Sequence, residues 1–151
     1  MIMRRRTLLI IGAAFALMII VAVIILRVIT ASPAPSLDNV LWTLTDLEVN
    51  GQTHELVANV PVTLTFHTTN HTITGSSGCN SYQATYEQNN AQVQFRDFAM
   101  TLVGCLGAQG EQENLYLQAL MHAETLHISG NVMTITGSGG KDILRFSSAR
   151  Q

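Results

Sequence analysis

The sequence predicts an α+β protein: a mainly antiparallel, strongly curled β-sheet or partial barrel with one packed α-helix, preceded by a single transmembrane helix. Three observations carry that reading. An uncharged apolar run occupies the N-terminus, short stretches of alternating apolar and polar residues fill most of the remainder, and one later segment changes to helical spacing.

From Thr7 to Leu26 the chain reads TLLIIGAAFALMIIVAVIIL, twenty residues without a charge. In an α-helix rising about 1.5 Å per residue, that length matches the roughly 30 Å hydrocarbon core of a bilayer. The apolar core of a cleaved secretory signal is shorter, about 7 to 15 residues. The run is therefore read as a signal-anchor helix over 7–29, a cut near Ala31 being the alternative. Arg4, Arg5 and Arg6 precede it, and the positive-inside bias keeps residues 1–6 in the cytoplasm and sends the rest to the extracytoplasmic face. Residues 30–36, Thr-Ala-Ser-Pro-Ala-Pro-Ser, form a stalk, because proline fixes φ and small side chains bury little. One folded domain is expected over 37–149, near the commonest domain size.

Splitting the charge at the end of the apolar run changes its meaning. Four of the eight basic residues, Arg4, Arg5, Arg6 and Arg27, flank that run, which leaves four against all ten acids, or −6 for the domain. Such a surface repels phosphate backbones and anionic lipid heads, so nucleic acid is excluded as an electrostatic partner.

Within the domain, Val62, Leu64 and Phe66 alternate with Thr63, Thr65 and His67, which places the two sets on opposite sheet faces. Val93 and Phe95 alternate with Gln92, Gln94 and Arg96 in the same way. Asn50-Gly51, Asn89-Asn90, Gly130-Asn131 and the glycines of 137–140 supply residues that tolerate positive φ in tight reversals. Strands are expected around 40–47, 61–67, 72–75, 82–87, 91–98, 126–129, 132–136 and 143–146. The segment Glu111–Ala123 breaks the rhythm, with acids in its first turn and Leu117, Leu120 and Met121 at helical spacing.

Taken in order, these pieces resemble a known family. Leu41-Trp42-Thr-Leu44, Val62-Thr-Leu-Thr-Phe66, Ile73-Thr-Gly75-Ser-Ser-Gly78-Cys79-Asn80, Tyr82 and Tyr86, then Phe98-Ala-Met-Thr101, Cys105, Glu113, Tyr116 and Leu120, and the closing Ile143-Leu-Arg-Phe146 are similar to the META domain, the HslJ-like family. Gly78-Cys79-Asn80, followed by a threonine and a second cysteine, is its most specific signature. The resemblance marks Trp42, Gly75, Gly78, Cys79, Asn80, Tyr86, Thr101, Cys105 and Glu113 as family-motif residues. It implies a bacterial domain linked to heat shock, envelope stress or antibiotic tolerance, without an established enzymatic activity.

Cys79 and Cys105 are the two cysteines of the chain. In an exported domain an even count is most simply one disulfide, and closing that loop of about 26 residues stabilises by roughly 3.5 kcal/mol in the chain-entropy model. Two free thiols, or a nucleophilic Cys79, are the alternatives; a nucleophile needs a base within reach, and the sequence places none. Two histidine pairs, His67 with His71 and His122 with His127, lack metal-ligand spacing, and Gly75-Ser-Ser-Gly78 lacks the lysine of a phosphate loop. No catalytic, cofactor or metal site is therefore expected. Two functions remain: a non-catalytic, membrane-tethered structural or interaction module with an envelope protein partner, or a small-molecule or lipid-binding domain with a cavity between sheet and helix.

Overall fold

The computed structural model describes Met18 and residues 37–149. Strands β1 (Leu41–Val49), β2 (Gln52–His54), β3 (Thr63–His67), β4 (Thr72–Ser76), β5 (Ser81–Asn89) and β6 (Gln92–Met100) precede helix α1 (Ala108–Met121). Strands β7 (Ala123–Ser129), β8 (Val132–Gly137) and β9 (Asp142–Ser148) follow it. No helix among the described residues is long and apolar enough to cross a membrane. Apart from Met18, the segment 7–29 expected to do so lies outside the described residues, as do 1–6 and the stalk 30–36.

Every strand pairing is antiparallel, and β9 returns to β1, with Trp42 opposite Ser148 and Glu48 opposite Ile143. The sheet is therefore a closed barrel of eight strands, β1 and β3 to β9, and the expected open curl or partial barrel is corrected. Closure joins the first strand to the last, and local alternation carries no information about which strands meet. The length of β1 makes it feasible: one edge carries β9, while the other is shared by β3 at Leu41–Thr43 and β2 at Leu47–Val49. β2 lies outside the ring, reached through a turn with positive φ at Asn50 (55°) and Gly51 (77°).

A register shift between Leu44 and Asp46 interrupts β1. This bulge moves the inward set from Trp42 and Leu44 to Leu47 and Val49, one residue out of phase. The loss of alternation explains why the sequence reading stops this strand early. The barrel interior is filled by Trp42, Leu64, Phe66, Ile73, Met133 and Phe146, all fully buried. The Tyr86 ring meets Phe66 edge to face at 5.1 Å.

Helix α1 buries Gln112, Tyr116, Leu117, Ala119 and Leu120, a stripe at helical period. It starts three residues before the expected Glu111, and Met121, grouped with Leu117 and Leu120 by spacing, is 54% exposed. The helix touches β1, β6, β8 and β9, strands from different sides of the ring. It consequently lies across one mouth of the barrel.

Candidate functional site

Three segments converge at the mouth that α1 covers: the turn Ser77–Asn80 between β4 and β5, the connection 101–107 between β6 and α1, and the first turns of α1. Cys79 and Cys105 are joined in a disulfide with Cα atoms 6.1 Å apart, so neither is a free thiol. Asn80, 4% exposed, sits at the centre. Its Oδ1 accepts from the Thr101 hydroxyl and the Val103 N–H, both at 2.8 Å. Its Nδ2 donates to the Val103 carbonyl at 3.1 Å and to the Glu113 carboxylate at 3.0 Å. The carboxamide of Asn80 thus has its donors and acceptor engaged within the fold.

Ser77, with no exposed surface, accepts from the Asn80 N–H at 3.0 Å, and its hydroxyl donates to Glu113. By residue type, a serine beside a carboxylate suggests a nucleophile and base; burial closes it to any substrate. The turn itself needs Gly78, whose φ of 95° is strained for a side-chain-bearing residue. Two glutamines of α1 complete the latch. Gln109 donates to the Gly78 carbonyl at 2.7 Å, and Gln112 accepts from Val57 N–H at 2.6 Å.

Beneath this cluster, the Tyr82 hydroxyl lies 3.0 Å from the Thr63 carbonyl and 2.6 Å from the Tyr116 hydroxyl. A carbonyl can only accept, so Tyr82 donates to Thr63 and Tyr116 donates to Tyr82. Burial pushes both phenols above their ordinary range. Gly75 is required here: a Cβ at that position would lie 2.0 Å from the Thr63 carbonyl oxygen and 2.7 Å from the Tyr82 hydroxyl.

The structure therefore brings Gly78, Cys79, Asn80, Thr101, Cys105 and Glu113 into one cluster, with Gly75 just below it. It does not bring in Trp42 or Tyr86, which belong to the barrel interior. Sequence reasoning missed Ser77, Gln109 and Gln112. The available signal was spacing, since Gln112 precedes the buried Tyr116 by one helical turn.

The space between helix and sheet, where a ligand cavity was one expectation, is occupied. Tyr116 packs there with ring centroids 5.9 Å from Tyr82 and 6.4 Å from Phe146. A groove of about 640 Å³ does exist, but on the outer surface, lined by residues such as Glu87, Gln92, Glu124 and Thr125. His67 bridges Asn39 and Thr74 at 2.9 Å each, His71 sits in the β3–β4 turn with φ 55°, and His122 lies 3.8 Å from Asp142. Among the described residues no three His, Cys, Asp or Glu side chains are grouped to hold a metal.

The META domain family model matches residues 35–150. No curated protein matches the sequence. Among solved structures, an NMR structure of a protein from Burkholderia xenovorans is 24% identical, with a TM-score of 0.62, covering 81% of this chain and 96% of that one. A DUF4847-family protein from Bacteroides vulgatus, solved by crystallography, is 15% identical with a TM-score of 0.59, covering 76% and 96%. At these identities the two neighbours show a common fold. The family match, over most of the chain and all of the motif cluster, decides membership: the chain belongs to the META domain family.

Proposed function

We propose that this protein is a non-catalytic META-domain module, held at the extracytoplasmic face of a membrane by its apolar N-terminal segment, and that it acts by binding another envelope protein. One observation carries the reading. The motif cluster uses its polar groups on itself: Asn80 bonds Thr101, Val103 and Glu113, while Ser77 is sealed beneath them. Such a cluster fixes loop and helix positions and leaves the outer surface as the working part. The uncharged run Thr7–Leu26 behind three arginines supports the membrane location. The family's link to envelope stress makes stressed cells the setting in which to look.

The test is capture of the full chain from detergent-solubilised membranes of stressed cells, beside a Trp42→Ala chain whose barrel core is damaged. A partner retained by the native chain and lost with the variant supports the proposal. Capture of the same proteins by both, or of none by either, overturns it.

A further inference from the structure

The connection between β6 and α1 exposes apolar side chains to an unusual degree. Leu102 and Leu106 are each 93% exposed and Val103 58%, with Met100 beside them at 38%. No charged residue occurs from Phe98 to Gly110. Isolated exposed leucines are ordinary on protein surfaces, whereas a contiguous apolar patch marks a binding surface.

The loop is also held rigidly. Thr101 and Val103 are bonded to Asn80, and Cys105 is bonded to Cys79. These anchors point into the fold while Leu102 and Leu106 point out, so the leucines are presented in a fixed arrangement with little ordering cost on binding. Their shape selects the partner. The exposed side chains of Leu102, Val103 and Leu106 are aliphatic and carry no polar group, and a lipid surface receives such side chains without a complementary pocket.

We propose that Leu102, Val103 and Leu106 insert into a lipid surface, giving the domain a second membrane contact besides its N-terminal segment. The inference rests on the membrane location proposed above. The loop lies at the α1-covered mouth, whereas Leu37 leads into β1 beside the β3–β4 turn, where Asn39 N–H bonds the Phe66 carbonyl. These are opposite ends of β4, a five-residue strand of about 17 Å. The ten residues from Arg27 to Leu37 can extend to about 35 Å, so an anchor does not prevent the loop from meeting the same bilayer.

The test uses the full chain carrying Leu102→Trp, reconstituted in phosphatidylcholine vesicles with plain or brominated acyl chains. At a position 93% exposed, the new indole disturbs no packing, and the native chain, whose single Trp42 is buried in the barrel, supplies the background. Loss of the added emission in brominated vesicles, with native emission little changed, is the expected result. Equal emission from the variant in both vesicle types, in a chain that floats with the vesicles, overturns the insertion and spares the anchor. A chain that does not float overturns both. Emission that shifts to the blue with protein concentration and ignores bromination assigns the loop to a second copy and overturns the lipid contact.

Discussion

The side chain of Asn80 grips the main chain of Val103 at both of its polar groups, accepting from the N–H at 2.8 Å and donating to the carbonyl at 3.1 Å. A side-chain amide here takes the place of a strand neighbour. Asn80→Ala leaves those groups and the Glu113 carboxylate without their partner and is expected to cost about 2–4 kcal/mol. Chemical denaturation followed by Trp42 emission measures it. Asn80→Asp keeps an acceptor for Thr101 and Val103 but removes the donor and sets a second carboxylate against Glu113, so it should cost at least as much as Asn80→Ala.

The direction of the tyrosine pair is testable by its asymmetry. Tyr116→Phe removes one donated bond and should cost about 1 kcal/mol. Tyr82→Phe deprives both the Thr63 carbonyl and the Tyr116 hydroxyl, for about 2–3 kcal/mol. A larger loss for Tyr116→Phe would reverse the donor assignment.

Burial holds the Tyr82 and Tyr116 phenols protonated beyond the range of an exposed tyrosine. An unfolded tyrosine releases its proton near pH 10, so above that value the folded state binds more protons than the unfolded one. The resulting stability is complete below about pH 10 and falls as pH rises further. Denaturation midpoints between pH 8 and 11 should show that fall, shallower in Tyr116→Phe.

The Cys79–Cys105 bridge closes a loop with a sequence separation of 26. Replacing both cysteines with serine should lower stability by about 3.5 kcal/mol. Reductant should bring the native chain to the variant's midpoint and leave the variant unchanged.

Gly75→Ala would force a Cβ to within 2.0 Å of the Thr63 carbonyl oxygen, backbone that cannot move without parting β3 from β4. A loss above about 3 kcal/mol is expected. Gly51→Ala meets no neighbouring atom and is penalised only by its φ of 77°, for about 1 kcal/mol. Equal midpoints in the two variants would contradict the steric account.

Most elements could be read from the sequence because each obeys a local rule. Leu64 and Phe66 alternate with threonines, and Gly130-Asn131 marks its own turn. What escaped depends on distant partners. The pairing of Trp42 with Ser148 has no local signature, and neither has the short β2, whose pairing is confined to the end of β1. The motif residues were legible as a set through the family resemblance, while their purpose was not. Only coordinates show Asn80 reaching Val103, or Gln112 reaching back to Val57. Met121 lies in the helix as its spacing predicts, yet it is exposed, because spacing defines a stripe without saying which edge of it meets solvent.

The pairing of β1 with β9 also sets a schedule for biogenesis. A nascent chain emerges N-terminus first, so one long edge of β1 must wait, unpaired, until Asp142–Ser148 has been made. A ribosome stalled after β8 would display that edge to any other extended chain. The last seven-residue strand is thus the step at which the barrel ceases to be an aggregation hazard.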